Sequence, residues 1–196
     1  MDEKSIRDQH SEMVFELSKS PAEIKQSLTL NQVDILHALM GVVGEAGEIA
    51  EVIGRLDSGI VYLHREGLEK LKEELGDFEF YLTIIYGRLF DEPRTNFVSR
   101  DVNILEVPSL PVMKWGLLKE VSSLTEVLKK HIIYGKPIDV NNLKELMGMI
   151  EFQLLCIRSV FQLNHDEILM TNIKKLRKRY PEGYSNEAAK KRADEV

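Results

Sequence analysis

Apolar residues recur at steps of three and four along most of this chain, the spacing that places side chains on one face of an α-helix. No segment sustains the period-two alternation that is typical of a half-buried strand. The pattern therefore predicts an all-α fold. The clearest stripe comprises Leu36, Leu39, Met40, Val43, Ala46, Ala50 and Ile53. Further helical stretches run through 67–90, 113–135, 139–163 and 165–180.

The stretch 90–111 is the least periodic part of the chain and contains three of its six prolines. It is typical of a connector, because proline ends helices and favours an extended conformation in the residue before it. We therefore expect a single all-α domain over 1–196. Its parts are a first helical hairpin at 30–90, a connector at 91–112, a second hairpin at 113–163, and a basic helix with its tail at 164–196.

The two predicted hairpins resemble each other. The segment "KEELGDFEFYL" (72–82) agrees with "KELMGMIEFQL" (144–154) at six of eleven positions. Upstream, "VVGEAGEIAEV" (42–52) aligns with "LLKEVSSLTEV" (117–127) and keeps two glutamates at the same spacing. Two matched blocks in the same order favour a duplicated hairpin. The alternative is that two unrelated amphipathic helix pairs look alike.

Four acidic residues form two i, i+3 pairs on the helices of the first hairpin: Glu45 with Glu48, and Glu74 with Asp77. Residues three apart share a helix face, so antiparallel packing would bring the four carboxylates together. Such a cluster needs cations, and carboxylate oxygens suit Mg²⁺ or Mn²⁺. The alternative is that these acids are ordinary solvated positions on helix surfaces.

Glycines lie within both acidic motifs, at Gly47 and Gly76, and Glu51 follows one turn after Glu48. A glycine inside a helix costs roughly 1 kcal/mol relative to alanine, so we expect these two to let a ligand or a second helix come close. Glu51 is predicted to be an additional metal ligand or to orient one. The chain has no Glu-x-x-His motif, which argues against a di-iron bundle.

The bulk composition excludes several classes of protein. A net charge of −6 argues against a general nucleic-acid binder, whose phosphate contacts need a basic surface. No apolar run reaches the roughly 18 residues of a membrane span, and the polar N-terminus is unlike a signal peptide. The single cysteine, Cys156, rules out an intrachain disulfide. We expect a cytoplasmic protein, in the host cytoplasm if it is phage-encoded, with neither a nucleic-acid nor a membrane partner.

The acidic motifs and the C-terminal segment together resemble a known family. "GEAGEIAEVIGR" (44–55) followed by "EELGD" (73–77) resembles the Glu-x-x-Glu … Glu-x-x-Asp signature of the MazG-like, all-α nucleoside triphosphate pyrophosphohydrolases. "TNIKKLRKRYPEGYSNEAA" (171–189) is similar to the end of many of these proteins. The resemblance implies a MazG-like helical bundle, built from two related hairpins plus a C-terminal basic helix, with the dimeric dUTPases as its nearest relatives.

The resemblance also implies an activity, the hydrolysis of a (deoxy)nucleoside triphosphate to the monophosphate and pyrophosphate. By position, Glu45, Glu48, Glu74 and Asp77 would be the catalytic acids that hold Mg²⁺, with Mn²⁺ as an alternative. One of them would help to activate the attacking water. The tail motif implies a set of residues that bind the substrate phosphates: Asn172, Lys175 and Arg179.

The chain departs from the family pattern in having a second hairpin between the acids and the tail. Three of the acidic positions correspond there to Ser123, Leu146 and Met149. Leucine and methionine cannot bind Mg²⁺, so we expect one metal centre per chain. The first hairpin would hold the metal, and the second would lead into the basic helix.

Aromatic residues offer candidates for contacts to the base: His37, Tyr81 and Trp115, with Phe80 as a further one. Core packing is the alternative role for the larger rings. The base and the sugar stay open. Two rival functions remain at this point, a catalytically inactive nucleotide-binding or regulatory protein of the same fold, and a plain helical interaction bundle. The internal duplication would allow a monomer, whereas relatives pair their bundles, so a homodimer is also expected.

Overall fold

The computed structural model describes residues 5–57, 64–90 and 108–194, and these residues form helices and turns with no β-strand among them. The all-α prediction is confirmed. The helices in chain order are α1 (Ile6–Leu17), α2 (Pro21–Ser27), α3 (Leu30–Asp57), α4 (His64–Leu89), α5 (Leu110–Tyr134), α6 (Val140–Val160), α7 (His165–Arg179) and α8 (Asn186–Lys191).

The two long helices α3 and α4 pack against each other in antiparallel directions. Asp34 near the start of α3 forms an ion pair with Arg88 near the end of α4, and His37 contacts Tyr81 one to two turns further in. Helix α3 also packs against α5, α5 against α6, and α4 against α7. Helix α7 therefore lies beside the helix that carries Glu74 and Asp77.

One apolar core connects helices α3 to α7. The predicted stripe on α3 is partly wrong, because Met40 is 70% exposed and Val43 is 45% exposed. Helix α3 carries two overlapping apolar series. It packs against both α4 and α5, so the residues that are buried differ in part from the predicted stripe. The buried series is Ile35, Ala38, Leu39, Val42, Ala46, Ile49, Ala50, Val52 and Ile53.

Several boundaries differ from the sequence prediction. Two helices, α1 and α2, precede the first hairpin, and α2 begins with a capping box between Ser20 and Glu23. Helix α5 begins at Leu110, three residues before the predicted start of the second hairpin, with a proline in its first turn. Its last residue is Tyr134, and the helix is capped by Gly135, whose φ of +64° is a conformation that favours glycine. Most of the predicted connector, residues 91–107, lies outside the described residues.

Within the described residues, no single helix is long and apolar enough to cross a membrane. The pair α6 and α7, which is bent by 100°, passes the same test of length and composition when its two helices are taken together.

Candidate metal centre

Three carboxylates converge where the middle of α3 meets α4. Glu45, Glu48 and Glu74 each offer one carboxylate oxygen, and these oxygens lie within 4.8 Å of one another. Glu74 is 2% exposed, whereas Glu48 lies on the exposed side. The cluster is therefore anchored in the protein at Glu74 and open to solvent at Glu48.

The buried neighbours of these acids explain their position. Ala46 and Ile49 on α3 are fully buried beside Glu45 and Glu48, and Leu75 is buried next to Glu74. Because side chains three or four apart share a helix face, burying the apolar residues fixes the acids at the edge of the interface. The sequence thus places acids on both helices where the two helices meet.

Burial and the neighbouring negative charges raise the pKa values of Glu45 and Glu74. Burial raises the pKa of Glu45 to about 8, with further contributions from the charges of Asp77, Glu74 and Glu48. Burial also raises the pKa of Glu74, despite the opposing Lys70 ammonium 2.5 Å from its carboxylate. With a pKa of about 8, Glu45 holds a proton at neutral pH when no other cation is present. A donor set made of carboxylate oxygens fits Mg²⁺ or Mn²⁺.

Asp77 lies beside the cluster and is held by α7. Asn172 donates its amide N–H to Asp77 Oδ1 at 2.7 Å. The Lys175 ammonium contacts Asp77 Oδ2 and lies 3.1 Å from Glu73 Oε1. Two residues that the tail motif assigned to substrate phosphates thus lie next to the predicted metal ligands, nearly a hundred positions away in the sequence.

Partial burial would lower the pKa of Lys175, but Asp77 and then Glu73 outweigh it, so that the pKa is raised. The same lysine lowers the pKa of Glu73 against the effect of burial. Lys175 therefore stays charged beside Asp77 and Glu73.

Gly76 shows why the motif contains a glycine on α4. A Cβ atom at this position would lie 2.9 Å from the Cβ of Asn172, so a larger residue would push α7 away. Here the glycine serves the close approach of a second helix. Gly47, in contrast, has no atom within 4 Å of where its Cβ would be.

Arg179 has a partner that the sequence did not indicate. Its guanidinium donates from Nε and Nη2 to the two carboxylate oxygens of Asp194, and this fork lowers the pKa of Asp194 to about 2. The C-terminal segment, which the sequence suggested was only a polar tail, folds back onto α7 through this contact and through the short helix α8.

The candidate base contacts separate into two groups. His37 and Tyr81 meet edge to face, with ring centroids 5.9 Å apart, and Tyr81 lies directly over Gly41, whose Cβ would be 2.4 Å from the ring. Trp115 lies on another helix and is 65% exposed, with the Lys114 ammonium 5.8 Å from its ring centroid. Tyr81 lies near Glu45 and Asp77, His37 lies on the far side of Tyr81 from these acids, and Trp115 lies apart from both on α5.

Glu51 lies outside the carboxylate cluster. It is exposed and forms an ion pair with Arg55 at i+4, so the prediction that it ligates or orients a metal has no contact in its favour. The residues that sequence reasoning missed are Lys70 and Glu73. The Lys70–Glu74 pair has i, i+4 spacing that could have been noticed, whereas only the packing of α7 places Glu73 beside Lys175.

No family model, curated protein or solved structure matches this chain. What the site can do is therefore inferred from its own side chains.

Proposed function

We propose that this chain hydrolyses a (deoxy)nucleoside triphosphate to the monophosphate and pyrophosphate, with Mg²⁺ or Mn²⁺ as its cofactor. One observation carries the proposal: the carboxylates of Glu45, Glu48 and Glu74 converge within 4.8 Å, and Lys175 lies beside them on Asp77. The MazG-like resemblance of the sequence points in the same direction.

The carboxylate cluster is suited to bind a cation. Three carboxylates so close together repel one another, and this repulsion adds to burial, the larger cause, in raising the pKa of Glu45. A divalent cation relieves it, and hard oxygen ligands suit Mg²⁺, which keeps part of its water shell and binds phosphate oxygens readily. Glu45, Glu48 and Glu74 are the residues that would hold it.

Lys175 supports a polyanionic substrate. In a site that bound only a metal ion, a lysine among the acids would be unfavourable, because the ammonium group and the metal ion repel each other. A polyanion that bridges metal and lysine does need both, because the negative charge of a triphosphate exceeds what one cation neutralises. Helix α7 would supply that charge through Lys175, which is paired with Asp77, whereas Arg179 is already paired with Asp194.

The proposed reaction is the hydrolysis of a phosphoanhydride. A water oxygen forms a bond to one phosphorus of the α–β phosphoanhydride, the bridging P–O bond breaks, and pyrophosphate and the monophosphate separate. A carboxylate of the cluster accepts the proton of the attacking water. A bound metal would supply Lewis-acid stabilisation of the developing charge. Lys175 is placed to bind the phosphates. The choice of the α–β bond follows the family resemblance.

The architecture proposed with this function is a pair of related hairpins. Tyr81 fills the space over Gly41, and Gln153 fills the space over Gly116, where a Cβ would lie 2.7 Å from its side-chain oxygen. The glycines are 75 residues apart and their partners 72 apart, the offsets at which the sequence blocks align. The same close contact in both hairpins supports duplication, with the metal ligands kept only in the first.

Pyrophosphate release from a panel of NTPs and dNTPs tests the proposal, with Mg²⁺ or EDTA, for wild type, Glu48→Ala and Glu51→Ala. We expect turnover that needs Mg²⁺ and falls by at least about 100-fold in Glu48→Ala, the order of effect of removing a transition-state contact. Glu51→Ala, an acid on the same helix outside the cluster, should keep wild-type turnover. Mg²⁺ binding without turnover of any triphosphate would instead favour a regulatory nucleotide-binding protein.

A further inference from the structure

A cavity of about 470 Å³ lies where the start of α3 meets the end of α4. It is lined by Leu30, Asn31, Val33, Asp34, His37 and Arg88. Its volume falls in the range of small-molecule sites, and its lining combines apolar surface with a few convergent polar groups, as such sites do. None of these residues belongs to the carboxylate cluster.

The cavity and the metal centre lie along the same pair of helices, α3 and α4. Across the antiparallel pair, Glu45 lies near Glu74, Gly41 lies under Tyr81, and Asp34 pairs with Arg88. Asp34 and Glu45 are eleven residues apart, so they lie on the same face of α3, about three turns or ~16 Å apart. A ligand with its phosphates at the acids would extend past Tyr81, and its other end would reach the cavity.

The polar wall of the cavity offers a hydrogen-bond acceptor beside donors. Arg88 Nε donates to Asp34 Oδ2 at 2.6 Å, and Asn31 donates to the Arg88 carbonyl at 3.2 Å. A carboxylate accepts at two oxygens and a guanidinium has five N–H groups. After their mutual bond, the pair therefore still presents carboxylate lone pairs next to guanidinium N–H groups. Leu30 and Val33, 90% and 48% exposed, provide apolar surface for the face of a ring.

We infer that this cavity binds the base of the nucleotide and that Asp34 favours bases with an exocyclic amino group over uracil and thymine. The inference rests on the proposed function. An exocyclic amine donates to the carboxylate, while the neighbouring ring nitrogen or oxo group accepts from Arg88. In uracil and thymine the corresponding exocyclic group is an oxo group, which only accepts, so it cannot donate to the carboxylate and is repelled by it.

The test compares dCTP with dUTP, because the two bases differ at C4 by an amino group against an oxo group. The measured quantity is the ratio of their kcat/KM values in Mg²⁺, for wild type, Asp34→Asn and Glu51→Gln. We expect wild type to favour dCTP by at least tenfold. Asp34→Asn should bring the ratio close to one or below it, since an amide N–H can donate to the oxo group. Glu51→Gln, the same exchange on the same helix outside the cavity, should leave the ratio unchanged.

Wild type that favours dUTP, or an Asp34→Asn variant that keeps the wild-type ratio, would overturn the inference while leaving the hydrolase proposal intact. Absence of turnover with either nucleotide would overturn the proposed function. In that case calorimetric titration of dCTP and dUTP in Ca²⁺ decides about the cavity. Binding that prefers dCTP and loses the preference in Asp34→Asn supports it, and equal binding or no binding overturns it.

Discussion

At the scale of single residues, the site contains carboxylates that repel each other and lysines that partly neutralise their charge. Lys70 forms an ion pair with Glu74, and Lys175 forms ion pairs with Asp77 and Glu73. Neither Glu45 nor Glu48 is paired with a lysine in the described part of the chain, and burial together with the neighbouring acids raises the pKa of Glu45 to about 8. Proton and metal therefore compete most directly at Glu45.

This competition predicts a pH-dependent metal affinity. Since Glu45 holds a proton below a pKa of about 8 and a metal needs the carboxylate, Mn²⁺ affinity should rise from pH 6 to pH 8 and level off above. The sign for stability is opposite. The folded protein binds more protons than the unfolded chain between the ordinary pKa of 4.5 and about 8, so the metal-free protein should lose stability as the pH rises through that range.

Titration of Mn²⁺ between pH 6 and pH 9 measures the first effect, with Glu45→Gln as the comparison. The variant should bind more weakly at pH 8 and lose most of the pH dependence. An unchanged slope in Glu45→Gln would assign the titration to another group. The same titration counts sites, and a second metal centre that survives this substitution would contradict the proposal of one centre per chain.

At the scale of helices, glycines set how closely the elements that carry the site approach each other. The Tyr81 ring occupies the space where a Gly41 side chain would be, and the Asn172 side chain occupies that space at Gly76. The first contact sets the spacing of α3 and α4, and the second brings α7 against α4. Both spacings decide whether Glu45, Glu74 and Lys175 meet.

Two alanine substitutions on α3 should therefore have opposite effects on stability. Gly41→Ala forces a methyl group against the Tyr81 ring and should lower the free energy of unfolding by about 1–3 kcal/mol, the range for overpacking. Gly44→Ala adds a methyl group where no atom lies within 4 Å, and it should raise stability by up to about 1 kcal/mol, because alanine is the better helix former. Urea unfolding measures the free energy of unfolding of both variants. Equal changes would show that the Tyr81 ring moves aside without loss of stability.

The sequence indicated the helices and the acids because both are local patterns. The i, i+3 spacing of Glu45 with Glu48 is visible without any fold. The short helices α1 and α2 were not predicted, although the capping box between Ser20 and Glu23 is a local signal of a helix start. Contacts between residues far apart in the sequence could not be predicted from local patterns. The pairing of Asp34 with Arg88 and of Arg179 with Asp194 depends on how helices and tail meet. The buried face of α3 was misjudged because two apolar series overlap on it.

At the scale of the whole molecule, a buried polar bridge joins three helices. Glu79 on α4 is 2% exposed and Arg158 on α6 is 6% exposed, and Arg158 donates to Glu79 at 3.2 Å. His165, the first residue of α7, lies 3.1 Å from the same oxygen. Glu79 therefore links the first hairpin to the second and to the helix that carries Lys175.

Removing this carboxylate should be costly, because it leaves the Arg158 charge buried without one of its acidic partners. We expect Glu79→Ala to lower the free energy of unfolding by about 3 kcal/mol, the lower end for a broken buried ion pair. Glu69→Ala on the same helix removes an exposed partner of Lys72 and should cost less than about 1 kcal/mol. Chemical denaturation of both variants provides the comparison, and similar small losses would mean that the bridge contributes little.

We propose that this chain cleaves a triphosphate between its α- and β-phosphates. The most direct measurement is ³¹P NMR of the products that the protein forms from a dNTP in Mg²⁺. We expect equal amounts of pyrophosphate and deoxynucleoside monophosphate, with neither formed after EDTA is added. Formation of inorganic phosphate and the diphosphate, or persistence of the triphosphate in Mg²⁺, would contradict it.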